Sequence, residues 1–559
     1  MPLACENRSG FSSSSGEQQQ GRSLLSSRPI GLCTSLLVPR VTSHSHVMAA
    51  DAIPATVAAL RSAFDSGRTR SLSWRLDQLA KLRAALRAYR PRLIEATHLD
   101  MGRPEFECVN IEIAPLDGEI ALLERELPAF VEPEHCSTPL TLAPASTTRT
   151  SEPKGVVLIL TPWNFPFALS IGPLACAIAA GNAALVKPSE KAPRCSALLA
   201  ELIRSTLDPA AVAIVEGGPQ VGQRLLGQKY DHIFYTGSGE VAKSVYAAAA
   251  KHLTPCTLEL GGKNSAYVHS DVEVPTTARR LLHGSMVNCG QFCCGVDIAY
   301  VHRGVSSELI GAIKALLLEW YGDDPRSSPS FGRVISPQSA WRMQRLLESC
   351  GGEVVCGGHV DVDARYVAPT IVLNPMMGSP LRADETFGPI LCLVEVSHVD
   401  EAIALQRSLP TPLCKYVFAR DGSVATDYMA RVAGGMGCIN DTMFQAANPE
   451  VPFGGFGASG FGAYHGMRGV RELSHCCGTL HQPLLAVLDP PFRYPPYTAS
   501  KVNLLAFVLR YPGSPLAAWL AKAGKLVRPL LVALLVLLAY RIGRRRGAAA
   551  ALGLVLRTR

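Results

Sequence analysis

Charge is scarce in this chain. Asp, Glu, Lys and Arg make up 18% of 559 residues, against about 25% in an average soluble domain, which implies much buried or lipid-facing surface. Apolar residues at 48% exclude general disorder. Gly (48) and Pro (40) are near average use and show no period, which excludes collagen-like and low-complexity architectures. No two Cys-x-x-Cys pairs occur at zinc spacing, so no metal site is expected. A secretory signal of the usual form is lacking too. The seventeen cysteines, odd in number and scattered, therefore read as reduced intracellular thiols rather than a disulfide framework. Acids are absent from Lys501 to Arg559, where eleven Lys or Arg fall. With those set aside, the net +8 becomes −3 for residues 1–500, so the body is mildly acidic and a nucleic-acid partner is not expected.

The two ends differ from the middle. Residues 1–47 hold eleven Ser, four Arg, no Lys and two acids, the composition of an organelle transit peptide or of a disordered extension; Met48-Ala49-Ala50 would make a natural start. In the tail, Pro529 to Tyr540 is an apolar run of twelve, flanked by Arg528 and by Arg541, Arg544, Arg545 and Arg546. A helix of that length spans about 18 Å, short of the ~30 Å hydrocarbon core. A short anchor or an interfacial helix facing anionic lipid is the expectation, with a buried soluble helix as the alternative.

Between them the periodicity is first helical (Val57, Leu60 and Phe64; Trp74 to Ala96, broken near Pro91; Glu112 to Leu127) and then alternating. A plausible strand at Leu140–Leu142 lies in a Pro/Ser/Thr stretch. Short apolar strands at Val156–Leu160, Ala184–Val186, Val212–Val215 and His232–Tyr235 are separated by helices. A second strand–helix block runs from Leu258 to about Gly437. This is the pattern of parallel sheets wound with helices, which bind ligands at the carboxyl ends of their strands.

Four segments could carry chemistry. Asn288-Cys-Gly-Gln-Phe-Cys-Cys-Gly295 sets thiols on a Gly-flanked turn, and a thiolate is the strongest nucleophile available near neutral pH; small core cysteines are the alternative. Leu258-Glu-Leu-Gly-Gly-Lys263 places a carboxylate at the end of an apolar strand, where desolvation would raise its pKa toward that of a general base. Thr161-Pro-Trp-Asn-Phe-Pro166 follows a strand and offers an amide donor for an oxyanion, or merely a turn. Gly237-Ser-Gly-Glu-Val-Ala242 could aim backbone amides at a pyrophosphate, though it is not a complete GxGxxG.

In this order, and with Val186-Lys-Pro-Ser-Glu190 and Glu385-Thr-Phe-Gly-Pro389, these segments resemble the aldehyde dehydrogenase superfamily. Phe234-Tyr-Thr-Gly, Pro452-Phe-Gly-Gly-Phe-Gly and Gly462-Ala-Tyr-His-Gly466 resemble its class 3 branch. Arg493 to Val502 is similar to the region after the core of fatty aldehyde dehydrogenases. The resemblance implies an α/β fold: a Rossmann-like parallel-sheet cofactor domain, a second α/β catalytic domain, a small β oligomerisation extension and a C-terminal membrane-associated helix. Between the leader over 1–47 and the basic tail over 501–559, both read from composition, it implies a helical part with the NAD-binding domain over 48–257 (bridging strand at 138–150), the thiol domain over 258–437 and an oligomerisation segment over 438–500.

The roles it implies are Cys293 as nucleophile, Asn164 as oxyanion donor and Glu259 as the base that hydrolyses the thioester. The presence of Glu259 favours acid formation over transfer to coenzyme A. Lys187 and Glu190 would hold the adenosine ribose of NAD, with NADP the alternative that Glu190 disfavours. Glu385 and Phe387 would position the nicotinamide end. Thr161, Trp163 and the turn Gly237, Ser238, Gly239, Glu240, Val241 and Ala242 would line the cofactor cleft. Implied partners are an aliphatic aldehyde of medium to long chain, membrane lipid at the tail and a second copy in a homodimer, at an intracellular membrane. Short or aromatic aldehydes are the alternative substrates, and a silent structural relative the alternative class. Three departures bear on pocket shape and cofactor affinity: Phe292 with Cys294-Gly-Val-Asp, Ala242 closing the cofactor turn, and Phe444 to Val451.

Overall fold

The computed structural model describes residues 52–139, 142, 144–485, 489 and 493–510. The leader and the apolar run Pro529–Tyr540 lie outside the described residues. The helical periodicity at the start becomes helices Ile53–Asp65, Leu72–Ala88 and Arg90–Met101. Ser71 caps the second by accepting from the Trp74 amide. Pro91 starts the third helix, where its missing N–H costs nothing. A π-helical turn, Cys108–Ile113, leads into helix Ala114–Phe130.

The first sheet has six strands in the order Gly460–Phe461, Cys256–Leu260, His232–Gly237, Val156–Leu160, Ala183–Lys187 and Val212–Ile214. All but the first run parallel. Val156–Leu160 and Ala183–Lys187 are buried throughout, as expected of strands covered by helices on both faces. From Val156–Leu160 the chain winds outward through 183–187 and 212–214, then returns to place His232–Gly237 on the other side. The strand order thus reverses between Leu160 and Gly237, and such a reversal opens a ligand crevice at the strands' carboxyl ends.

The second sheet has seven strands in the order Glu353–Cys356, Thr370–Leu373, Ile390–Val396, Ile298–His302, Ser265–Val268, Cys414–Phe418 and Met436–Ile439, with only Glu353–Cys356 antiparallel. The strand carrying Glu259 pairs with His232–Gly237 and belongs to the first sheet. The passage between sheets therefore falls after Leu260 rather than before Leu258. A third, antiparallel sheet joins Glu134–Cys136, Ser146–Pro153 and Ser474–His481. Its strand begins at Ser146, beyond Leu142; Leu140 and Thr141 lie outside the described residues. Among the described residues no helix is long and apolar enough to cross a membrane.

Candidate active site

The crevice at the reversal collects the residues expected there. Thr161 follows the strand end and shares a 2.8 Å hydrogen bond between its hydroxyl and that of Ser170. Lys187 ends the next strand; its ammonium donates to the Pro188 carbonyl (2.9 Å) and the Glu190 carboxylate (3.3 Å), and burial lowers its pKa. Gly237 closes its strand, and Ser238 begins helix Gly239–Ala250 without a side-chain cap, so the first-turn amides stay open. Glu240 points outward to Lys243, Val241 is exposed, and Ala242 is buried against the sheet. A glycine at 242 is thus replaced at a packed position, not at the mouth of the turn.

The nicotinamide-end residues come from the other sheet. The Phe387 ring, held at φ 50°, meets Trp163 edge-on at 5.4 Å. Glu385 lies on the backbone of Gly261: a Cβ there would stand 2.1 Å from its carboxylate and would push that side chain aside. Burial, aided by Asp297, pushes the Glu385 carboxyl up to about 8. One of its oxygens has no hydrogen-bond partner among the described residues, nor has the Thr236 hydroxyl. Open amides, a lysine, and orphaned oxygens able to take sugar hydroxyls fit a dinucleotide.

The thiol loop enters by an unusual backbone. Asn288, Cys289 and Gly290 are consecutive left-handed residues with φ 52°, 54° and 69°. Gly290 packs so closely on Gly388 that a Cβ would lie 2.1 Å from its carbonyl oxygen. Of the three thiols, Cys289 and Cys294 are buried and pushed up by that burial, while Cys293 is half-buried and lines an open cleft. Asn164 is buried, and its amide nitrogen donates to the Gln291 carbonyl at 3.2 Å, two residues before Cys293. Glu259 is 2% exposed, and neither carboxylate oxygen has a partner among the described residues. Burial raises its pKa well above the usual carboxylate range, and the nearby Cys293, Glu472 and Cys414 add to the shift.

Cys293 lines a cleft that is open to solvent. Phe165, Phe292, Leu116, Leu169 and Phe453 give it apolar walls, and Phe292 tilts against Phe165 at 4.8 Å. The divergent segment after Phe444 contributes Ala446, Ala447 and Pro449 to the lining.

Sequence reasoning missed the brace beneath the site. Arg103 is fully buried and bonds Glu112 (2.5 Å), the Asn288 side-chain oxygen (2.9 Å) and the Asn164 carbonyl, with the Phe165 ring 4.6 Å away. Glu112 also accepts the Phe167 and Ala168 amides at 2.7 and 3.0 Å. Glu107 accepts the Asn288 amide (2.9 Å), and burial pushes its carboxyl to about 7. A cation directly after a helix-ending glycine reads as a surface residue, so Gly102-Arg103 carried no signal of burial.

Comparison with known proteins agrees with this geometry. A family model described as the aldehyde dehydrogenase family matches residues 39–477. The chain is 40% identical over 451 residues to aldehyde dehydrogenase family 3 comG of Dictyostelium discoideum, covering 80% of this chain and 96% of that one. It is 38% identical over 450 residues to family 3 member A2 of Mus musculus, covering 80% and 93%. Among solved structures, substrate-bound Staphylococcus aureus AldH superposes with a TM-score of 0.79 at 35% identity, covering 81% of this chain and 99% of that one.

Proposed function

The chain belongs to the aldehyde dehydrogenase family as an NAD(P)-dependent enzyme, and from that premise we propose that it oxidises aliphatic aldehydes of medium to long chain to carboxylic acids at a membrane surface. The observation that carries this reading is a half-exposed thiol lining an apolar cleft, near a buried carboxyl that has no hydrogen-bond partner among the described residues.

Cys293 adds to the aldehyde carbon and forms a thiohemiacetal. Its oxyanion takes hydrogen bonds from the Cys293 backbone N–H and from Asn164, whose amide has a second N–H beyond the one on Gln291. Thr161, Trp163, Lys187, Glu190, the 237–242 turn, Glu385 and Phe387 hold the dinucleotide, which when bound supplies the hydride acceptor. Glu259 then deprotonates the water that hydrolyses the thioester, and its desolvation makes it a strong base once ionised.

The apolar lining of the cleft, which includes the small Ala446 and Ala447, supports an alkyl chain as the substrate's tail. The acid-free tail would bring the enzyme to anionic lipid, where such substrates partition. The eight-residue edge strand Ser474–His481 leaves backbone donors open to a second copy in a homodimer. NADH formation by the full-length protein, compared on hexadecanal and propanal in detergent with Cys293→Ala alongside, tests the reading. Faster turnover on hexadecanal, abolished in the variant, supports it; preference for propanal removes the long-chain assignment. Binding to vesicles containing phosphatidylserine should weaken with added salt and with Arg544, Arg545 and Arg546→Glu.

A further inference from the structure

Glu259 is 2% exposed, so the proton it takes from water must leave by a route other than Glu259's own exposure. On its strand Thr257 stands two residues earlier, facing the same way roughly 7 Å off. The neighbouring antiparallel segment contributes Gly460 opposite Glu259, and Gly462 beside Thr257. Neither carries a side chain, and a Cβ on Gly462 would stand 2.9 Å from the Glu472 carboxylate. Gly462 therefore marks where Glu472 comes close to the strand, on the face that Thr257 shares with Glu259.

Glu472 meets the interior with one oxygen and the surface with the other. Oε1 accepts from the Thr257 hydroxyl at 3.1 Å, and Oε2 accepts from the half-exposed Arg468 at 3.3 Å. Behind Thr257, His232 Nε2 lies 2.9 Å from its hydroxyl, and Lys154 Nζ lies 3.0 Å from His232 Nδ1. Burial lowers the pKa of His232 to about 3, so its ring is neutral and passes one hydrogen bond onward. With Thr257 donating to Glu472, His232 must carry its hydrogen on Nε2 and accept from Lys154. Every donor in the chain Lys154, His232, Thr257 points toward Glu472, which ends it as an acceptor.

We propose that Glu472 is the proton acceptor behind Glu259: after thioester hydrolysis Glu259–H gives its proton through an intervening water to the Glu472 carboxylate, which releases it to solvent beside Arg468. The water proton gained by Glu259 is the one delivered outside, so each turnover restores both carboxylates and consumes no further reactant. This rests on the assignment of Glu259 as the base. The groups facing Glu259 are Cys293, Cys414, Tyr464 and Glu472; those facing Glu472 are Arg468 and the Thr257–His232–Lys154 chain.

The test is stopped-flow NADH formation from hexanal and NAD by full-length wild type, Glu472→Gln, Glu472→Asp and Glu259→Gln, between pH 6 and 9. Glu472→Gln should keep a fast first turnover of one NADH per Cys293. Its subsequent steady phase should be about ten-fold or more below wild-type turnover, rising with pH only at higher pH, and Glu472→Asp should recover most of the rate. A steady rate within two-fold of wild type across the range would overturn the proposal. So would loss of the first turnover together with the steady phase, since Glu472 would then merely hold the site together. If Glu259→Gln instead turns over like wild type, the assignment of the base fails, independently of Glu472.

Discussion

Replacing Arg103 with Met removes the residue that ties the oxyanion segment to the thiol loop. The guanidinium is wholly buried and serves three acceptors: Glu112 at 2.5 Å, Asn288 at 2.9 Å and the Asn164 carbonyl. Losing one partner of a buried ion pair costs about 3–5 kcal/mol because the other charge stays behind. The abandoned Asn288 oxygen adds about 1 kcal/mol or more. Two backbone amides still serve Glu112, and its carboxyl, already pushed up by burial, can take a proton, which offsets part of the loss. About 4 kcal/mol of destabilisation is expected near neutral pH, read as a shift of the urea unfolding curve. A carboxyl whose folded pKa is raised binds its proton more tightly in the folded state, so this stabilising protonation is present at low pH and fades as pH rises through the raised pKa. The variant should therefore be less impaired at pH 5 than at pH 8, and adding Glu112→Leu should recover stability and flatten that dependence. kcat should fall about a hundred-fold, as the Asn164 amide and the thiol lose their common anchor. A loss below about 1 kcal/mol with kcat unchanged would refute the argument.

Gly290→Ala must move backbone, since its Cβ would meet the Gly388 carbonyl at 2.1 Å in a left-handed conformation. A loss of about 2–4 kcal/mol and a displaced, slow Cys293 are expected, measured by thermal unfolding and by iodoacetamide labelling rates. Thioester hydrolysis should climb with pH through the raised Glu259 pKa and fail toward acid, because only the ionised carboxyl is a base. In Glu259→Gln the p-nitrophenyl acetate steady rate should be about 10²–10⁴-fold lower and flat with pH. Glu190→Gln should improve the NADP-to-NAD ratio of kcat/KM by about ten-fold or more, since a carboxylate near a 2′-phosphate costs about 1–4 kcal/mol at contact; an unchanged ratio would place the phosphate elsewhere.

What the sequence determined by itself was whatever depends on neighbours along the chain. Uninterrupted apolar runs such as Val156–Leu160 announced strands buried on both faces. Glycines and prolines marked where elements stop, and short motifs named residues that the fold brings near one another: Asn164 on the Gln291 carbonyl, Glu259 near Cys293, Trp163 against Phe387. These were readable because a motif ties residue type to a position along the chain.

The tertiary structure alone decided what depends on partners far away in sequence. Nothing in Cys256 to Leu260 reveals that this strand pairs with 232–237 instead of opening the next sheet, because a short strand buried throughout fits the middle of either. The second glutamate beyond the base, Glu472, is more than two hundred residues from Thr257, the hydroxyl that holds it. Arg103 reads as a surface charge until Glu112, Asn164 and Asn288 converge on it from three separate segments. A buried charge is tolerated only when all of its partners arrive together, and that arrival is a property of the folded chain.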